Sequence, residues 1–133
     1  MVKRFGLPET ERLKSRKQID ALFAQGKGFA VYPIRVTYQF AAVEPKKGLQ
    51  IGVTASKRLF KKAVDRNRVK RLLREAYRLQ KEELKMGLEA AGKSGAIFFL
   101  YTGKTLPEFD GIKTAMAKCL KKLIAILSSE SPS

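Results

Sequence analysis

The residues with the most chemistry to offer lie in one run, 61–78, KKAVDRNRVKRLLREAYR, where eight of eighteen are Lys or Arg. Guanidinium and ammonium groups at this density do not break bonds. They neutralise phosphates, arginine through a planar fork that meets two phosphate oxygens at once. From 57 to 81 there are eleven basic residues and two acidic ones, Asp65 and Glu75, a local balance of +9. The chain as a whole carries 28 − 12 = +16, so more than half of the excess sits in this segment. Self-repulsion of that size disfavours a compact state, and a polyanion relieves it. Nucleic acid is the leading candidate, ahead of an anionic membrane surface.

The run also has a helical phase. At 100° per residue, Val69, Leu72, Leu73, Ala76 and Tyr77 fall within an arc of about 140°, the stripe of a helix docked on a core. Asn67, Lys70, Arg71, Arg74 and Arg78 take the opposite arc, with Arg66 and Arg68 on the flanks. Asp65 is placed to act as N-cap, and the helix spans Asp65 to about Leu84. A merely solvated helix, the plainer alternative, interleaves both signs and gains i,i+4 ion pairs. This one keeps its basic residues in a stripe.

Other chemistry has little to work with. There is no histidine, and Cys119 is the single cysteine, so soft-ligand zinc or iron sites have no donor set and the commonest general base is missing. No paired-carboxylate motif or Gly-rich phosphate loop stands out. Gly26-Lys27-Gly28 lacks the spacing of such a loop and reads as a helix stop. Cys119 falls on the apolar stripe of the last helix and reads as core. The expected metal-ligand and catalytic residues of the protein are therefore none. No apolar run approaches the roughly 20 residues that span a bilayer. The lone cysteine suits a reducing cytosol, and the expected location is cytoplasmic.

These residues need a scaffold, and 133 residues give one domain, expected over 1–133 with tails at about 1–11 and 128–133. Ser15 and Gln18 form a capping box for a short helix presenting Ile19, Leu22 and Phe23 and ending at Gly26. From Phe29 to Val43 the period is two. Ile34, Val36, Tyr38 and Phe40 share one face, and Arg35, Thr37 and Gln39 the other. The turn 45–48 then leads to Leu49, Ile51, Val53 and Ala55 in a second strand, a hairpin signal. Residues 85–95, with three glycines, read as helix end plus loop. AIFFLYT at 96–102 reads as a central strand, and Ile112, Met116, Cys119, Leu120, Leu123 and Leu127 mark a last helix before a frayed SSESPS tail. The order is helix, strand, strand, helix, strand, helix, with room for the first strand to break in two. The fold class is α+β or α/β, with helices over one face of a small sheet and the other face open for binding.

A helix-turn-helix does not fit, because strand-like segments precede the basic helix. Tyr38 and Phe40, with Phe29 and Tyr32 nearby, add aromatic rings to the sheet, which favours RNA and unpaired strands. Core packing is the commoner role of such rings.

KKAVDRNRVKRLLREAYR resembles the arginine-asparagine-arginine signature of the bacterial ribonuclease P protein component. IGVTASKR is similar to that family's second strand and the basic segment after it, and RLKSRKQIDALFAQGK to its first helix. The resemblance covers about residues 12–125. It implies an α-β-β-β-α-β-α two-layer sandwich with a small mixed sheet and a left-handed βαβ crossover, unusual among proteins. It further implies the small subunit of a ribonucleoprotein that removes the 5′ leader from precursor tRNA, with catalysis by the RNA subunit and Mg²⁺ held mainly by that RNA. By the same resemblance Arg66, Asn67, Arg68, Lys70, Arg71 and Arg74 contact the catalytic RNA, extended by Lys57, Arg58 and Lys62. The leader cleft between first helix and sheet involves Ile19, Phe23 and Arg35, with either Thr37 or Tyr38 facing the leader. Where this chain has Ile19 the family often has an aromatic, so apolar contact replaces stacking there. The implied partners are the catalytic RNA and precursor tRNA, with no protein partner and no membrane.

Two other readings compete. A general RNA-binding or ribosomal protein would need the same basic helix. A protein-only nuclease would need clustered carboxylates for metal, and Asp65, Glu75, Glu82 and Asp110 show no such grouping.

Overall fold

A computed structural model of the chain describes residues 12–13, 16–42 and 49–130. The apolar run near residue 97 becomes β4 (Lys93–Tyr101), which lies inside a four-stranded sheet ordered β1-β2-β4-β3. β1 (Lys27–Val31) pairs antiparallel with β2 (Ile34–Ala42), β2 antiparallel with β4, and β3 (Leu49–Ala55) parallel with β4. A strand buried between two neighbours has little need of polar alternation, as the expected central position of this run required.

The helices are α1 (Arg16–Gln25), α2 (Ala63–Gln80), α3 (Glu82–Ala91) and α4 (Phe109–Glu130). On one sheet face Ile34, Val36, Tyr38, Ile51, Ala55, Ile97, Phe99 and Tyr101 join Val69, Leu73, Ala76 and Tyr77 of α2 and the apolar stripe of α4 in a single core. Each such large buried side chain contributes about 1.5–3 kcal/mol. The period-two faces expected for the strands and the stripe expected for α2 are those observed.

Several boundaries differ from expectation. The 34–40 and 49–55 strands do not form a hairpin, because β4 lies between them. A tight turn and a long-range insertion leave the same period-two pattern on each strand, so local sequence does not separate them. The hairpin that does form is β1–β2, where the long first strand breaks at Tyr32-Pro33. The signature helix begins at Ala63, so Lys62 is the N-cap and Asp65 sits in the first turn, where its charge still complements the helix terminus. It ends at Gln80, whose Nε2 donates to the carbonyls of Ala76 and Lys113 at 3.1 Å each, tying α2 to α4. Residues 85–91 are helical rather than loop. Only Gly92, at φ 67°, turns the chain, while Gly87 lies within α3 and Gly95 within β4. Residues 128–130 belong to α4. The capping-box Ser15, the 45–48 turn, and residues 1–11 and 131–133 lie outside the described residues.

α2, α3 and α4 cover the core face. The short α1 does not join them. Its Phe23 ring meets Phe98, and Phe98 points away from the core because its neighbours Ile97 and Phe99 point into it. The second face is therefore partly roofed by α1 instead of wholly open.

Candidate nucleic-acid interface

The first part of the site is the outward arc of α2 and the turn before it. Ser56 organises that turn, its Oγ accepting from the amides of Arg58 at 3.1 Å and Leu59 at 3.3 Å. Buried Phe60 anchors it against Tyr101, ring centroids 5.9 Å apart. With the backbone fixed in this way, Lys57, Arg58 and Lys62 stand exposed ahead of α2. Asn67, Arg68 and Arg71 are exposed on the helix, and Lys70 and Arg74 are half-buried along the same side. Arg66 has a second duty. Its Nη1 donates to the carbonyls of Phe60 at 2.8 Å and Lys61 at 3.0 Å, clamping turn to helix.

Charge crowding adds to burial at Arg74. Burial holds its pKa below the usual guanidinium range, and the nearby charges of Arg12 and Arg71 push it the same way. Arg78, further along, is committed elsewhere. It forms a two-point ion pair with Glu75, at 2.6 and 3.1 Å, which lowers the Glu75 pKa and raises that of Arg78.

The second part is the sheet face under α1. Arg35, Thr37 and Gln39 of β2 share it with Phe98 and Leu100 of β4, where Thr37 pairs with Phe98 and Arg35 with Leu100. Arg35 is exposed and Thr37 half-buried, while Phe23 is 53% exposed and Ile19 half-buried on the facing helix. The Phe23 and Phe98 rings meet edge-on, 5.2 Å apart. Together they make a cleft with an aromatic wall and a cationic rim.

Tyr38 is not part of it. It is 7% exposed on the core face, packed between Phe29 at 6.0 Å and Phe40 at 5.3 Å. Of the two candidates for the leader-facing position, Thr37 occupies the cleft side, and strand alternation excludes its neighbour. Phe29 likewise lies on the core side, with the Lys122 ammonium 5.1 Å from its ring centroid. The aromatic surface expected from β1 and β2 comes instead from Phe98, which the even phase of AIFFLYT (Ala96, Phe98, Leu100) would have given.

Arg12 and Leu13 join the two parts. Leu13 N–H donates to the Ile51 carbonyl at 2.8 Å, and Arg12 bridges to Ile51 in parallel, so this segment lies along the free edge of β3. Successive residues of an extended chain face opposite ways. Arg12 reaches the Arg74 charge on α2, while buried Leu13 turns towards Gly52 on the α1 side. Arg12 was not singled out from sequence. The apolar Leu13 beside it in a polar stretch was the available signal.

Among the described residues no three His, Cys, Asp or Glu side chains come together to hold a metal ion, and no helix is long and apolar enough to cross a membrane.

The Ribonuclease P family model matches residues 7–124. The chain belongs to the ribonuclease P family. A ribonuclease P protein component of Porphyromonas gingivalis is 39% identical over 127 residues, covering 96% of this chain and 93% of that protein. One from Chlorobaculum tepidum is 33% identical, covering 90% and 83%. The RNase P protein structures of Staphylococcus aureus (TM-score 0.66, 19% identity, covering 84% of this chain and 94% of that one) and Thermotoga maritima (0.64, 21%, 84% and 96%) share the fold. The α+β sandwich with its mixed sheet is thus a ribonuclease P protein fold, and membership favours this family over the general RNA-binding alternative.

Proposed function

We propose that the chain is the protein subunit of a ribonuclease P holoenzyme, active in the cytoplasm, that assists removal of the 5′ leader from precursor tRNA. The basic arc of α2, with Lys57, Arg58 and Lys62 ahead of it, holds the catalytic RNA. The α1–sheet cleft, with Ile19, Phe23, Arg35 and Thr37, holds the unpaired leader. The observation that carries this is the pairing of two unlike surfaces around one edge. An ammonium and guanidinium array suits a folded RNA backbone, and an aromatic cleft suits bases that are free to stack.

Bond cleavage is assigned to the RNA subunit, with Mg²⁺ held mainly by RNA phosphates. The protein's part is electrostatic and positional. Its cations lower the repulsion between two polyanions and let the substrate be held where less Mg²⁺ is present.

Reconstitution tests the proposal. The protein mixed with its cognate ribonuclease P RNA at low magnesium is expected to accelerate leader release, and the protein alone to release nothing. Leader release by protein alone overturns the assignment of chemistry to RNA. Failure to stimulate the cognate RNA overturns the subunit role.

A further inference from the structure

Neither RNA surface uses the flank where α3 and the last turn of α2 lie beside α4. Between these helices runs an open groove of about 850 Å³. A smaller depression of about 200 Å³, with Gly87 and Ala90 on one side and Ile124 and Leu127 on the other, continues it. From Leu79 to Ala91 the groove is about 18 Å long at the helical rise.

Its two walls differ in kind. On the first, Leu79 and Met86 are 50% and 63% exposed, with exposed Glu82 and Glu83 between them. Lys81, between α2 and α3, keeps a right-handed helical backbone, so these residues form one nearly continuous stripe. The second wall is small and cationic. Ala117 and Ala125 are exposed on α4 with exposed Lys121 between them. Leu120 at the floor belongs to the core, so folding accounts for the floor. It does not account for the exposed rim.

Each wall has what the other lacks, in size and in charge. An isologous interface demands this, because a single patch must complement itself. A two-fold axis along the groove sets the α3 wall of one copy over the α4 wall of the other. Leu79 and Met86 then fill the space above Ala117 and Ala125. Glu82 and Glu83 face Lys121 of the other copy, and every contact is made twice. RNA suits the groove poorly. The two carboxylates repel phosphate, and among the described residues no aromatic ring lines it for stacking.

We propose that the α3–α4 groove is a self-association surface through which two copies of this chain form a two-fold dimer. The basic arc of α2 starts at Arg66, about 20 Å along the helix from Leu79. Its N-terminal part and the α1 side of the sheet therefore stay open in the dimer. The net charge of +16 on each copy opposes association. Added salt screens that repulsion, so the dimer tightens under conditions that loosen RNA binding.

Sedimentation equilibrium of the free, full-length chain, from micromolar to submillimolar concentration, tests the proposal. Wild type is expected to pass from monomer to dimer, at lower concentration when salt is raised. Met86→Ser, at an exposed position, is expected to weaken the dimer about 10-fold, since each loss counts twice. Glu83→Lys and Lys121→Glu should each weaken it by setting like charges against one another. Mixing these two variants should restore it as a heterodimer with opposite charges in contact, a rescue that a folding defect cannot give. Wild type that stays monomeric throughout overturns the proposal in favour of another occupant, the chain's own residues 1–11 or a different protein. A dimer indifferent to Met86→Ser, or a mixture no tighter than either variant alone, places the contact elsewhere and overturns it too.

Discussion

The Phe23 ring stands edge-on to the Phe98 ring, centroids 5.2 Å apart at 73°. This contact fixes α1 over the sheet while leaving half of Phe23 uncovered, so one side chain both holds the cleft and lines it. Phe23→Ala is expected to weaken holoenzyme binding of leader-bearing tRNA by about 1–3 kcal/mol, the range for loss of one base–aromatic stack. Binding of mature tRNA, which has no leader, should hardly change. An equal loss for both substrates would remove Phe23 from the leader site.

Gly52 tests the same wall from behind. It lies opposite Phe98 across the β3–β4 pairing, and a Cβ there would run into the Phe98 ring edge. Gly52→Ala must displace Phe98 and, through it, Phe23. A stability loss of about 1–3 kcal/mol is expected from overpacking, read by denaturant titration, with leader affinity falling in parallel. Wild-type stability would mean that the ring moves aside freely.

These two residues show where sequence reading stops. The inward faces of β2 and β3, the central place of β4 and the two arcs of α2 were legible, because each is written in local periodicity. The insertion of β4 between β2 and β3 was not, since strand order is decided by contacts across some 50 residues of chain. Nor was the side of the sheet that α1 takes, because Leu22 and Phe23 would dock on either face. The basic arc of the site was therefore plain from sequence. The cleft needed the register that puts Thr37 beside Phe98 and turns Tyr38 inward.

Cys119 should behave as core. Burial pushes its thiol up to about 12, the Lys122 charge opposing more weakly. A thiol ionises at about 8.5 in an unfolded chain. The folded-state value is raised, so this contribution is complete below that pH and is lost as pH climbs towards 12. The stability advantage of wild type over Cys119→Ala should accordingly shrink between pH 9 and 11 in denaturant titrations. A native-state labelling rate at neutral pH equal to that of the unfolded chain would contradict the burial.

Arg74 carries a standing repulsion. It stays charged at neutral pH although burial, Arg12 and Arg71 all disfavour the charge. Arg74→Met keeps an apolar stem and removes the charge. In low salt the Tm of the free protein is expected to rise by about 1–4 °C, the gain fading as salt screens the cluster. Affinity for the catalytic RNA should fall at the same time. A variant less stable than wild type in low salt would show that the side chain contributes more through packing than it costs in repulsion.

Arg66 and Arg68 separate scaffold from surface within one motif. Arg66 donates to two carbonyls of the preceding turn, whereas Arg68 is exposed on the helix. Arg66→Ala is expected to lose about 1–2 kcal/mol of stability, as two modest hydrogen bonds disappear. Arg68→Ala and Arg71→Ala should each lose less than about 0.5 kcal/mol, the usual range for surface substitutions. Binding to the catalytic RNA reverses the emphasis. Arg68→Ala and Arg71→Ala should each weaken it and flatten the log-affinity against log-salt slope by about one. In Arg66→Ala any loss of RNA affinity arrives together with a disturbed 56–62 turn, so Lys57 and Arg58 lose their placement too. Unchanged slopes in both surface variants would detach α2 from the RNA, whatever Arg66 does to the fold.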